Sequence, residues 1–167
     1  MKYLLDFDRT VFDMDGLYLA IAATNPDATL GTLDSLENID LEALLFPDAL
    51  EFFATHEQLQ IEIVSSGFGL TAQWDVSYQT AKINRSNVAK YVSAIHVVPD
   101  SKISTIKRLT RDSETDVLYV DDHPENIKTA VSNISHLKVV YLDRSGAGAV
   151  IPGATTISSL TEIDAII

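Results

Sequence analysis

Two stretches decide how this chain is read: Tyr3-Leu4-Leu5-Asp6-Phe7-Asp8-Arg9-Thr10 and Val117-Leu118-Tyr119-Val120-Asp121-Asp122. Each is a short apolar run that stops at paired carboxylates. Runs of this length bounded by polar residues are the pattern of strands buried on both faces of a parallel sheet. In open α/β sheets, ligands bind outside the carboxyl ends of the strands. The acidic pairs Asp6/Asp8 and Asp121/Asp122 would therefore meet at one sheet edge and repel each other. A divalent cation resolves such repulsion, and an all-oxygen donor set suits Mg²⁺.

Working outward, the remaining runs alternate in type. Further strands are expected over 60–64, 94–98, 116–120 and 138–142. Helical pieces are expected over 17–23, 41–45, 47–56, 71–81, 86–91, 124–133 and 160–166, the last as a short helix or turn. Asp100 is expected to cap a helix that runs to about residue 111, and 145–153 reads as a loop. Strands alternating with helices imply an α/β fold with a central parallel sheet covered on both faces. The 167 residues suit a single domain with a full core, and 46% hydrophobic residues exclude a disordered chain.

The chain has no cysteine, which excludes disulfide and thiolate chemistry. Net charge is −12, and its distribution is uneven. Residues 10–81 hold twelve Asp and Glu and no Lys or Arg, whereas residues 82–167 hold ten of each sign. Such a surface repels nucleic acid and anionic membranes. No leader segment is read at the start and no apolar run is long enough to span a bilayer. A soluble cytoplasmic protein is the expectation.

Four elements fall at expected strand ends or helix starts: Asp6/Asp8/Thr10, Ser65, Lys102 and Asp121/Asp122/Asn126. In order and spacing they resemble the motifs of the haloacid dehalogenase-like (HAD) superfamily of phosphohydrolases, over nearly the whole chain. The resemblance implies a Rossmann-like three-layer HAD core. Residues of about 15–46 stand where the family carries its cap, here reduced to a small helical cap or lid.

It also implies roles. Asp6 would be the nucleophile that forms an aspartyl-phosphate, and Asp8 the general acid and base. Ser65 and Lys102 would hold the phosphoryl oxygens. Mg²⁺ would sit among Asp6, the backbone carbonyl of Asp8, and Asp122, with Asp121 or Asn126 in support. Thr10, Arg9, Ser66 and Gly67 are candidates for substrate contact, and Ser66 is an alternative to Ser65. Arg9 departs from the family, where Gly often follows the second Asp. The expected substrate is a small phosphate ester or a phosphorylated macromolecule.

Blander readings stand beside these. Asp122 with Glu125 has the spacing of a capping box. Ser65, Ser66 and Thr10 could be turn hydroxyls, and Lys107 rivals Lys102. Asp13 and Asp15 read as loop acids, because the acids of a calcium loop are missing around them. A receiver-type signalling domain would place its phosphorylated Asp on a later strand, which this order does not fit. A phosphotransferase, or an interaction module that kept the fold without the activity, stays open as an alternative.

Overall fold

Strand β1 (Lys2–Leu5) is the spine of the structure. We describe it from a computed structural model covering residues 1–67, 76–146, 148 and 150–167. Leu4 and Leu5 are fully buried on opposite faces of β1, so neither face meets water. This is why the run is continuously apolar and does not alternate. Burying each leucine contributes about 1.5–3 kcal/mol.

Five more strands complete the sheet: β2 (Ile61–Ser66), β3 (Ala94–Val98), β4 (Val117–Asp121), β5 (Lys138–Leu142) and β6 (Thr155–Ile157). Their spatial order is β3-β2-β1-β4-β5-β6, and every pairing is parallel. The chain moves from β1 to β2 on one side and later returns to β4 on the other. The order therefore reverses between β1 and β4, where a crevice opens at the strand ends.

Helices cover both faces. On one side Leu4, Val64 and Tyr119 pack with α4 (Ile103–Arg111) and α5 (Pro124–Asn133). On the other, Tyr3, Leu5, Ile63 and Val120 pack with α1 (Met14–Thr24), α2 (Pro47–Thr55) and α3 (Val76–Arg85). Consecutive strand residues thus feed different cores, as the period of two requires. No helix among the described residues is long and apolar enough to cross a membrane.

The structure corrects several sequence expectations. Asp100 caps nothing: α4 begins at Ile103 with Lys102 as the residue before it and no side-chain cap. The first five residues of the helix expected over 71–81 lie outside the described residues, and α3 runs on to Arg85. The helix expected over 86–91 is a single 3₁₀ turn, Val88–Lys90, preceded by Asn87 in a left-handed conformation that an α-helix cannot continue. Likewise 41–45 is a 3₁₀ turn, at Glu42–Leu44, whereas the short helix or turn expected over 160–166 is present as the 3₁₀ element Leu160–Ala165. Strand β6 was not expected, because Thr155 and Thr156 are exposed and only Ile157 is buried. Asp13 and Asp15 are not loop acids. Asp13 is the N-cap of α1, accepting from the Gly16 amide at 2.8 Å, and Asp15 lies in the first turn.

Residues 14–46 form α1, the 3₁₀ turn Leu33–Leu36 and the turn at Glu42–Leu44. Leu17, Ile21, Leu36 and Leu41 tie this segment to the main core.

Candidate active site

The register of the sheet brings the two acidic pairs together. Leu5 pairs with Val120 and with Ile63. The Asp6 amide continues that ladder by donating to the Val120 carbonyl at 2.9 Å. Asp6 therefore emerges level with Asp121, and Ser65 lies close by at the end of β2.

At the centre, the Lys102 ammonium lies 2.6 Å from Asp6 Oδ1 and 2.7 Å from Asp121 Oδ2. All three residues are buried. Burial alone would lower the Lys102 pKa, but Asp121 and Asp6 outweigh it and hold the ammonium above its usual range. Lys102 opposes the dipole of α4 because these two carboxylates require it there. Lys107, the rival, is exposed and donates to Asn133 on the far side of the helix pair.

Asp121 is the structural anchor. One oxygen accepts from the His123 amide at 2.7 Å and from Asn126. The other accepts from Lys102, from Asn126 and, through a short hydrogen bond, from the Tyr119 hydroxyl. The blander reading of Asp122 and Glu125 as a capping box does not hold, because His123 takes the N-cap position. Asp122 is left facing the cavity.

Asp6, Asp121 and Asp122 each place a carboxylate oxygen within 4.8 Å of the others. Burial pushes the Asp6 carboxyl well above its usual range; Lys102 pulls it back, but Asp121, Asp122 and Asp8 raise it further. Asp122 is pushed up to about 6, by burial and then by Asp121. Three carboxylates around one ammonium leave an excess of negative charge on all-oxygen donors. That donor set fits a hard divalent cation. The carboxylate of Asp8 is not part of this cluster, so only its backbone carbonyl could join a metal there.

The raised Asp122 value sets a sign. The folded state holds a proton that the unfolded state, at 3.8, releases. Its contribution is present below that value and is lost as pH rises through about 6. Without divalent cation, Asp122→Asn is therefore expected to gain melting temperature relative to wild type as pH rises from about 4 through about 6. Thermal unfolding of both proteins at pH 4.5 and pH 8 checks this.

Asp8 faces elsewhere. Its Oδ1 lies 2.6 Å from the Lys82 ammonium, and its Oδ2 accepts from Gln79 at 2.9 Å. Gln79 also donates to Ser65 Oγ at 2.8 Å. Burial lowers the pKa of Lys82, and Asp8 opposes that fall. Neither Gln79 nor Lys82 was singled out from the sequence. The available signal was Lys82 itself, the first basic residue after 72 positions without one.

A cavity of about 560 Å³ opens over this array. Asp6, Asp8, Arg9, Ser65, Ser66, Gly67, Lys102, Asp122 and Asn126 all line it, with Met14 and Tyr18 from α1 and His123 beside them. Ser65 is buried and Ser66 half-buried, both within β2 and neither in a turn. Gly67 extends the ladder by donating to Val98 at 2.8 Å. Phe68 and Gly69, which follow it, lie outside the described residues.

Thr10 does not line the cavity. It is fully buried, and its hydroxyl has no hydrogen-bond partner among the described residues. Arg9 adopts φ 57°, the left-handed region that glycine enters without strain. This explains why glycine suits the position and what arginine costs there, about 1–2 kcal/mol. Arg144 supports the strained turn, donating to the carbonyls of Arg9 at 3.0 Å and Thr10 at 2.7 Å. The Arg9 guanidinium pairs with Asp15 at 2.9 Å, but both side chains are at least half exposed, so the pair is weak and exchangeable.

No protein-family model and no curated protein sequence matches the chain. Solved structures do. A haloacid dehalogenase-like hydrolase from Burkholderia xenovorans LB400 superposes with a TM-score of 0.66 at 17% identity, covering 98% of this chain and 95% of that one. L-2-haloacid dehalogenase from Xanthobacter autotrophicus gives 0.62 at 12% identity, covering 96% and 95%. A haloacid dehalogenase-like family hydrolase from Xanthomonas campestris gives 0.59 at 12% identity, covering 99% and 93%. With the strand order and the crevice between β1 and β4, these likenesses show that the chain has the haloacid dehalogenase-like hydrolase fold.

Proposed function

We propose that this protein is a Mg²⁺-dependent phosphomonoester hydrolase that works through an aspartyl-phosphate on Asp6. The observation that carries the reading is the buried Asp6–Lys102–Asp121 array, with Asp122 beside it, at the floor of an open cavity.

Phosphoryl transfer needs an in-line nucleophile and compensation of charge on the equatorial oxygens. Asp6 supplies a carboxylate at the cavity floor. Attack of one of its oxygens on phosphorus breaks the bond to the leaving oxygen and forms the acyl phosphate. Asp8 lines the same cavity and would give a proton to the leaving oxygen, then take one from the water that cleaves the acyl phosphate. The Ser65 hydroxyl and the Lys102 ammonium face the transferred group as donors. Asp6 and Asp122, with the Asp8 carbonyl, would hold the cation, while Asp121 and Asn126 fix the surroundings. When bound, Mg²⁺ neutralises the phosphoryl oxygens and the carboxylate cluster together.

The superposed dehalogenases make one comparison compulsory in the test. Hydrolysis of para-nitrophenyl phosphate is to be measured with Mg²⁺ and with EDTA, alongside chloride release from 2-chloropropionate. Phosphate release that requires the cation, with no chloride release, is the expected result. Chloride release without phosphate release would overturn the proposal. An interaction module without catalysis would give neither.

A further inference from the structure

Gln79 and Lys82 stand one turn apart on the buried face of α3, and both are fully buried. A lysine with no solvent exposure needs a reason. The Lys82 ammonium sits among the rings of Phe7, Phe12 and Tyr78, at 5.6–5.9 Å from their centroids, and 3.2 Å from Met14 Sδ. Its carboxylate partner is Asp8, at 2.6 Å.

The Gln79 amide nitrogen has two acceptors, Asp8 Oδ2 and Ser65 Oγ. A carboxylate only accepts, so the amide nitrogen and not its oxygen must face Asp8. Ser65 Oγ then receives a hydrogen from Gln79, which leaves its own hydrogen free for a different acceptor. The Gln79 amide oxygen is buried without a hydrogen-bond partner among the described residues. An amide that leaves its oxygen unsatisfied keeps this orientation at a penalty, and the two bonds to Asp8 and Ser65 are what it gains.

We propose that Gln79 and Lys82 are positioning residues of the phosphoryl-transfer site, Lys82 and Gln79 together locking the Asp8 carboxylate while Gln79 aims the Ser65 hydroxyl at the bound phosphoryl group. The inference rests on the phosphatase reading above. Neither residue lines the cavity, so both act through Asp8 and Ser65 and not on substrate. One helix face thereby ties the ends of β1 and β2 into a single preorganised unit. A displacement of about 1 Å at such a unit costs on the order of 100-fold in rate.

The test uses Lys82→Met, which keeps chain length and suits the apolar surroundings, and Gln79→Met as a second variant, each alone and in the Asp8→Asn background. Turnover of para-nitrophenyl phosphate with Mg²⁺ is measured, with thermal unfolding to confirm folding. Each single variant is expected to lose roughly 100-fold in kcat with KM within about threefold. In the Asp8→Asn background, Lys82→Met is expected to change the residual turnover by less than about twofold. Wild-type kcat in both folded single variants would overturn the inference and leave the phosphatase reading standing. A full further loss from Lys82→Met in the Asp8→Asn background would also overturn it, because the residue would then act on the fold and not through Asp8. Absence of metal-dependent hydrolysis in the wild type would overturn the phosphatase reading and this inference with it.

Discussion

Replacing Asp6 by Asn is expected to lower phosphate-ester turnover by roughly three powers of ten or more, without loss of folding. A carboxamide cannot form the acyl phosphate, and removal of a nucleophile from a concerted array removes most of what the array does. The stability side is equally specific. Burial, with the charges of Asp121, Asp122 and Asp8, raises the Asp6 carboxyl well above its usual range. Neutralising it removes repulsion, while Lys102 keeps its bond to Asp121 at 2.7 Å. The melting temperature of Asp6→Asn without cation is therefore expected to match or exceed that of wild type. Initial rates and thermal unfolding on the same preparation check both halves. Turnover surviving in a folded variant would remove Asp6 from the nucleophile's place.

Lys102→Met is expected to be the most destabilising substitution in the site. The change keeps the length of the side chain and removes its charge, leaving Asp6 and Asp121 buried without a counter-ion. Breaking a buried pair from one side costs about 3–5 kcal/mol. For a chain of this size that corresponds to a fall of about 10 °C in melting temperature. Turnover should fall as well, since in the proposed reaction the same ammonium would face the phosphoryl oxygens. Mg²⁺ should restore part of the lost stability, because a cation held by Asp6 and Asp122 supplies the missing charge. Melting curves with and without Mg²⁺ read this as a larger cation-induced rise in the variant than in wild type. Equal melting temperatures for the two proteins would show that the ion pairs contribute nothing to folding.

These two expectations rest on residues that were visible in the sequence, and the reason is physical. Asp6 follows three apolar residues and Asp121 four, each in a strand buried on both faces, so the pattern and the chemistry change at one position. Strands β3, β4 and β5 were legible to within a residue, because each is a mostly apolar run closed by a proline or a carboxylate. Strand β6 was not, because two of its three residues face solvent and carry no periodic signal. The 3₁₀ turns at Glu42–Leu44 and Val88–Lys90 were read as longer helical pieces because a few apolar residues do not reveal where backbone bonding stops.

Within the site, the strand-end residues were legible and their supports were not. Arg144 reaches the Arg9 and Thr10 carbonyls from more than 130 positions away. Gln79 and Lys82 meet Asp8 only because α3 packs against β2 and β3, beside the loop that follows β1. Contacts of that range have no local pattern. Thr10 shows the converse: it matches a motif position, yet it is buried behind the cavity wall. The blander alternative, a capping box from Asp122 and Glu125, fails because His123 takes the N-cap position with its amide bonded to Asp121.

The central claim is a covalent phosphoryl group on one residue, and it can be observed directly. Wild type and Asp6→Asn are mixed with para-nitrophenyl phosphate and Mg²⁺, quenched in acid during turnover, digested, and the peptide carrying residues 2–8 is weighed. One phosphoryl group on that peptide at Asp6 in the wild type, and none in the variant, is the expected result. Turnover with an unmodified peptide, or a phosphoryl group on any other residue, would contradict it.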